Sequence, residues 1–159
     1  MNFKNQQMIE NMVKNSNVVI NLVGPRKKIK KREDFEFANI EVAERIAHAC
    51  KKHGVLRLIH FSAAGADPNS DSLDFQTKFE AESVVKNIFP DVTIFRPCTV
   101  FGENDYFASV IRRQVSYFFN KYSFVFDDCK TLKQPIKESD VANCVLNALK
   151  LDESKVFYF

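Results

Sequence analysis

Asn17-Val18-Val19-Ile20-Asn21-Leu22-Val23-Gly24 is a short run of branched apolar residues closed by a glycine, and it reads as a strand buried on both faces. Such a strand needs cover above and below, so its flanks decide the fold. Before it, Met8, Ile9, Met12 and Val13 share one face of a short helix. After it, from Asp34, a longer helix carries Phe35, Ala38, Val42, Ala43, Ile46, Ala47 and Cys50 at helical spacing, and Gly54 ends it. Val55 to Phe61 is the next strand. Ser62 to Ser72 is rich in turn formers. The helix that follows presents Phe75, Phe79, Ala81, Val84, Val85 and Ile88 before Pro90 stops it. Val92 to Phe95 is a third strand, and Arg96 to Gly102 is the loop at its end.

Further along, the spacing predicts a helix over Tyr106–Phe119, a strand over Ser123–Phe126 and an extended segment over Leu132–Ile136. Ser139 is expected to cap a helix containing Val141, Ala142, Cys144, Val145, Ala148 and Leu149, and Val156 to Phe159 closes as a strand. Strands alternating with helices of this length form βαβ units joined by right-handed crossovers. The expected fold class is therefore α/β, a partial Rossmann-type parallel sheet with helices on both faces. Ligands of such sheets bind beyond the carboxyl ends of the strands. The loops that matter begin at Gly24, Ser62 and Arg96.

The chain has 159 residues, 45% hydrophobic and 27% charged, a globular mix that excludes a disordered chain and fits one domain. No run approaches the roughly 20 apolar residues of a spanning helix, so any membrane contact is expected to be peripheral. A net charge of +3 gives no sign of a nucleic-acid partner. Cys50, Cys98, Cys129 and Cys144 form no C-x-x-C pair, and His48, His53 and His60 lie at no zinc-site spacing, so no metal site is expected. Only 4 glycines occur, where average usage of ~7% would give about eleven. The first fifteen residues, with Glu10 and no Arg, have neither a signal-peptide core nor transit-peptide composition. An organellar location would then require another import signal, a presequence already removed, or synthesis in place.

Three phrases stand at the strand ends: N-V-V-I-N-L-V-G at 17–24, I-H-F-S-A-A-G-A at 59–66 and R-P-C-T-V-F-G at 96–102. In this order they resemble the extended and atypical short-chain dehydrogenase/reductases, as does Asn39 at the start of the intervening helix. Adding Asp34-Phe35-Glu36-Phe37, Phe101-Gly102-Glu103-Asn104-Asp105 and Thr131-Leu132-Lys133-Gln134-Pro135-Ile136, nearly the whole chain is similar to the nucleotide-binding accessory subunits of mitochondrial respiratory complex I. The resemblance implies a peripheral subunit on the matrix side of the inner mitochondrial membrane. It also implies a structural NADPH held against Gly24, Ser62, Lys78, Pro97 and Val100. Gly24 and Pro97 read better as shape residues than as ligands. For Ser62 and Lys78 two readings stand side by side, nicotinamide-side contacts or turn and helix-surface residues left from ancestry.

Departures from that family carry as much meaning. Its active members need a tyrosine four residues before a lysine, so that the ammonium lowers the phenol pKa and the phenol protonates a carbonyl oxygen. Lys78 is the matching lysine, but Asp74 stands four residues before it and Phe75 follows. An ionised carboxylate cannot do the work of that phenol, so the resemblance implies no catalytic residues. The glycine-rich loop that cradles a pyrophosphate is missing too. The 17–23 strand matches the family's fourth, which makes residues 1–159 one domain without its first βαβ unit.

We therefore expect no dinucleotide to be bound by this chain alone, and a second chain to complete the sheet. Its strands at Val19 to Val23 and Val55 to Ile59 are both expected to be open edges. Other complex I subunits are the remaining partners. The run Arg26-Lys27-Lys28-Ile29-Lys30-Lys31-Arg32 reads as a solvated loop or a contact with an acidic neighbour, ahead of a contact with anionic lipid. The alternative function is a soluble NAD(P)-dependent reductase fragment or NADP-sensing module whose missing half restores catalysis.

Overall fold

Asn5 opens the first helix: its side chain accepts the Met8 amide at 3.3 Å, which satisfies one of the free donors of the first turn. This helix, α1, spans Gln6–Val13 and buries Ile9 and Val13, one turn apart. The computed structural model describes residues 3–25, 31–103, 109, 134–150 and 156–158. They fall into two units, Met1–Arg96 with Glu153–Phe159, and Pro97–Asp152. Most of the basic run, the expected helix over Tyr106–Phe119 and the strand over Ser123–Phe126 lie outside the described residues.

In the first unit, β1 (Val18–Asn21) is followed by one continuous helix built from α2 (Arg32–Phe35), a π-helical turn (Glu36–Glu41) and α3 (Val42–Lys52). Its buried stripe is Val42, Ala43, Ile46, Ala47, Ala49 and Cys50. Gly54, at φ +65°, ends it in the left-handed conformation that favours glycine. Then come β2 (Arg57–Phe61), α4 (Leu73–Ile88), β3 (Thr93–Arg96) and, at the end of the chain, β6 (Val156–Tyr158). Helix α2 begins two residues before the expected Asp34, where Arg32 pairs with Glu36 at 2.6 Å along the helix.

The sheet order is β1-β2-β3-β6, all parallel. Val19 aligns with Leu58, His60 with Ile94 and Ile94 with Val156, so these residues share one face. On it Val19, Leu58, Ile94 and Val156 pack with α1, α3 and α4 into one apolar core. The opposite face carries a row of rings, Phe61 against Phe95 and Phe95 against Phe157, each pair at 5.3 Å between centroids. One expectation is corrected here. Residues Val55 to Ile59 are no open edge, because β2 is paired on both sides and Val55, Leu58 and Ile59 are buried. The edges are β1 and β6, and among the described residues nothing pairs with the outer side of β1.

In the second unit, β4 (Val100–Phe101) pairs in parallel with β5 (Ile136–Lys137), and α5 spans Glu138–Ala148. The loop expected over Arg96 to Gly102 thus contains a two-residue strand. Ser139 is not the cap of α5: Lys137 holds that position in extended conformation, and no side chain caps the helix. Pairing of Lys137 with Phe101 carries the backbone straight from ladder into helix and moves the boundary ahead of the serine.

Candidate functional site

Beyond the carboxyl ends of β1 and β2, polar side chains gather on the sheet face that bears the helices. Asn21 and His60 are register partners and both are buried. The Asn21 Oδ1 accepts the Val23 amide at 3.0 Å, which turns its Nδ2 toward His60 Nδ1 at 3.1 Å. His60 Nδ1 is then the acceptor and its proton sits on Nε2. Burial pushes the His60 pKa down to about 4, with Glu82 opposing the shift and Lys78 adding to it. Two residues on, the Ser62 amide donates to the Phe95 carbonyl at 2.7 Å. The Ser62 hydroxyl is buried and has no hydrogen-bond partner among the described residues.

A second cluster joins the π-helical turn to α4. Asn39, buried on that turn, donates to Asp74 Oδ1 and to Thr77 Oγ1, each at 2.9 Å. Asp74 Oδ2 pairs with Lys78 Nζ at 3.2 Å, the two side chains 29% and 21% exposed. The wider coil of a π turn re-aims side chains relative to an α-helix, and such turns concentrate at functional sites. Thr77 returns its hydroxyl to the Leu73 carbonyl at 2.8 Å. Among the described residues one carboxylate thus holds the only lysine of the cluster, and no phenol stands beside it.

A third group supports the end of β3. Arg96 grips Glu82 with two nitrogens at 2.8 and 2.7 Å and donates to the Tyr158 hydroxyl at 2.8 Å. Its guanidinium also lies over the Tyr158 and Phe79 rings, 5.1 and 5.9 Å from their centroids. Glu82 is buried, and a buried carboxylate is stable only when paired in this way.

Of the five expected contact residues, Gly24, Ser62 and Lys78 belong to the first unit, and Pro97 and Val100 to the second. Gly24 is exposed on an open loop, where an added Cβ would meet nothing within 4 Å. Pro97 is buried; Val100 is exposed on β4. Sequence reasoning singled out Asn39, Asp74 and Lys78 separately. It did not see that Asn39 bonds Asp74, nor the Asn21–His60 pair, whose only signal is a polar residue inside each of two apolar runs.

The residues present suit the nicotinamide-ribose end of a dinucleotide better than its pyrophosphate. Ser62 offers a buried hydroxyl with no partner, and Lys78 a cation within reach of solvent. Among the described residues no glycine loop offers amides to phosphates.

A family model described as NAD(P)H-binding matches residues 1–152. The 40 kDa subunit of mitochondrial NADH-ubiquinone oxidoreductase from Neurospora crassa is 49% identical over 102 residues, 64% of this chain and 27% of the relative. Mitochondrial NADH dehydrogenase (ubiquinone) 1 alpha subcomplex subunit 9 is 35% identical in Mus musculus, over 92% of this chain and 38% of the relative. In Arabidopsis thaliana it is 36% identical, over 96% and 38%. The chain thus spans well under half of each of these relatives. Among solved structures, UDP-glucuronic acid 4-epimerase from Bacillus cereus in complex with NAD superimposes with a TM-score of 0.84 at 17% identity, over 100% of this chain and 58% of that one. UDP-glucose 4-epimerase from Thermotoga maritima gives 0.81 at 16%, over 100% and 60%. At such identities the likeness is one of fold, a Rossmann-like α/β sheet.

Proposed function

This chain belongs to the NAD(P)H-binding family, and from that premise we propose that it serves as a non-catalytic accessory subunit of mitochondrial respiratory complex I. In this reading it sits peripherally on the matrix side of the inner membrane, and electron transfer belongs to other subunits. No described helix is long and apolar enough to cross a membrane, which is consistent with peripheral attachment. The observation that carries the non-catalytic reading is the Asp74–Lys78 pair, in a chain otherwise similar along nearly its whole length to complex I subunits. A dehydrogenase of this fold needs a neutral acid beside the lysine. Asp74 instead answers the ammonium with a carboxylate already bonded by Asn39.

The cofactor of this reading is NADPH, held structurally rather than turned over. Ser62 and Lys78 would hold its nicotinamide-ribose end, with Gly24 shaping the loop at the end of the neighbouring strand. Its pyrophosphate needs amides that a second chain would bring, and that chain would complete the sheet. When bound, the dinucleotide supplies hydride chemistry in active relatives of the fold. Here it would order the strand ends instead.

The NAD complexes of the epimerases keep a second reading in play, a soluble reductase fragment. Native-gel fractionation decides between them. Co-migration of the chain with complex I is the expected result. A small soluble species with NADPH-dependent reductase activity would overturn the proposal.

A further inference from the structure

We infer that Asn21 couples the turn after β1 to the protonation of His60: its side-chain amide serves the turn or a charged imidazole, but not both. A proton on His60 then opens residues 22–24, and whatever holds those residues keeps His60 neutral. The coupling stands on contacts within the first unit and needs no bound cofactor.

The amide has two jobs at once. Its Oδ1 accepts the Val23 amide at 3.0 Å and closes the turn, while its Nδ2 lies 3.1 Å from His60 Nδ1. Asn21 and His60 are register partners and each is only 3% exposed, so water is a poor substitute for either contact. A charged imidazole carries protons on both nitrogens. Its Nδ1–H would face the Asn21 NH2, donor against donor. Rotating the amide by half a turn ends that conflict and creates another, because the NH2 then faces the Val23 N–H. The side chain thus has two arrangements, and the proton chooses between them.

The surroundings leave Asn21 as the group that must respond. The charged groups that bear on His60 are Glu82 and Lys78, both on α4. Glu82 is gripped through both oxygens by Arg96, and Lys78 answers Asp74. From β3 the register partner is the apolar Ile94, and from β2 the same face offers the uncharged Ser62. The turn has little else to hold it, since Leu22 is 68% exposed and Gly24 stands open. Linkage runs both ways, so an occupant seated on the turn lowers the proton affinity of His60. Under the proposed function the dinucleotide is such an occupant, and this last step alone rests on that reading.

Hydrogen exchange read by mass spectrometry on the 159-residue chain tests the coupling, following the amides of residues 22–24 and the ring C2 hydrogen of His60 together from pH 7 to 3.5. In the wild type, Val23 exchange corrected for its intrinsic pH dependence should quicken about tenfold. Its midpoint should be that of the ring, about 4, while the amides of α3 keep their protection. Asn21→Asp gives one carboxylate oxygen to the turn and the other to the ring. The His60 midpoint should then rise by about one unit, and the turn should stay closed. His60→Gln should leave the turn indifferent to pH. A wild-type turn that ignores the His60 midpoint overturns the inference, as does a turn that still quickens in His60→Gln or an unmoved ring midpoint in Asn21→Asp. Loss of α3 protection at the same midpoint overturns it too, since the proton would then open the whole unit. None of these results bears on the accessory-subunit reading, which native-gel fractionation tests separately.

Discussion

Asn21 fixes the protonation of His60 through geometry alone. Its carbonyl oxygen is committed to the Val23 amide, so its NH2 faces the imidazole, and a proton on Nδ1 would set donor against donor. Burial supplies the main shift and lowers the His60 pKa from 6.5 to about 4. Between those values the unfolded chain binds the extra proton and the folded chain does not. Stability from this residue is therefore complete above pH 6.5, falls as the pH drops toward 4, and changes no further below that. A shift of this size corresponds to about 3 kcal/mol. Urea unfolding at pH 7 and at pH 4.5 should show that loss in the wild type and a much smaller one in His60→Gln. Glu10 enters only at the acid end of the window: its hydrogen bond from Lys52 holds it below its ordinary 4.5, so its contribution is full well above that value and is lost as the pH falls below it.

Asp74 makes a second residue-scale test. It accepts from the buried Asn39 amide and pairs with a partly exposed Lys78. The hydrogen bond carries more of the stability than the ion pair, since solvent screens the latter. Asp74→Leu should cost about 1–2 kcal/mol in urea unfolding, because it strands the Asn39 donor. Asp74→Asn should recover most of it, with the new amide oxygen still accepting from Asn39. Equal losses in the two variants would place the stability in the charge pair instead.

At the scale of elements, the turn after β2 is held by a close approach. A Cβ on Gly65 would stand 2.7 Å from the Phe75 ring at the start of α4, and a ring cannot swing aside as a chain end can. Gly65→Ala should cost about 1–3 kcal/mol by overpacking. Gly102→Ala, whose Cβ would first meet the Glu138 carboxylate, should cost less because that side chain can rotate away. Thermal melts of the two variants check the order.

The same scale shows what the sequence could express. Strand and helix existence was legible wherever apolar residues kept a period, as in α3, whose stripe and terminal Gly54 were both foreseen. The π turn was not, because one extra residue per turn leaves no mark on an apolar stripe that resumes at Val42. Nor was the α5 boundary, where ladder pairing of Lys137 overrode the capping preference of Ser139. In the candidate site, chemistry tied to spacing was readable in part: Asp74 and Lys78 stand one helical turn apart in the sequence, and the structure joins them as an ion pair. Contacts between distant segments, Asn21 with His60 or Arg96 with Glu82, have no spacing to betray them.

For the molecule as a whole, the uneven treatment of the two sides of the sheet edge governs behaviour in isolation. Strand β1 is apolar on both faces and lacks the charges or prolines that natural edges use against self-pairing. Its outer amides and the exposed Val18 and Ile20 form one continuous adhesive strip. The chain expressed alone should therefore associate through this strip. Ile20→Lys puts a charge in the middle of it without entering the core, since Ile20 points away from the packed helices, opposite to Val19. Light scattering of the lone chain should show a large fall in association for Ile20→Lys and little change for Leu146→Lys, at an apolar and still more exposed residue on α5. A similar gain from both positions would mean that general solubility, and not the β1 edge, limits the isolated chain.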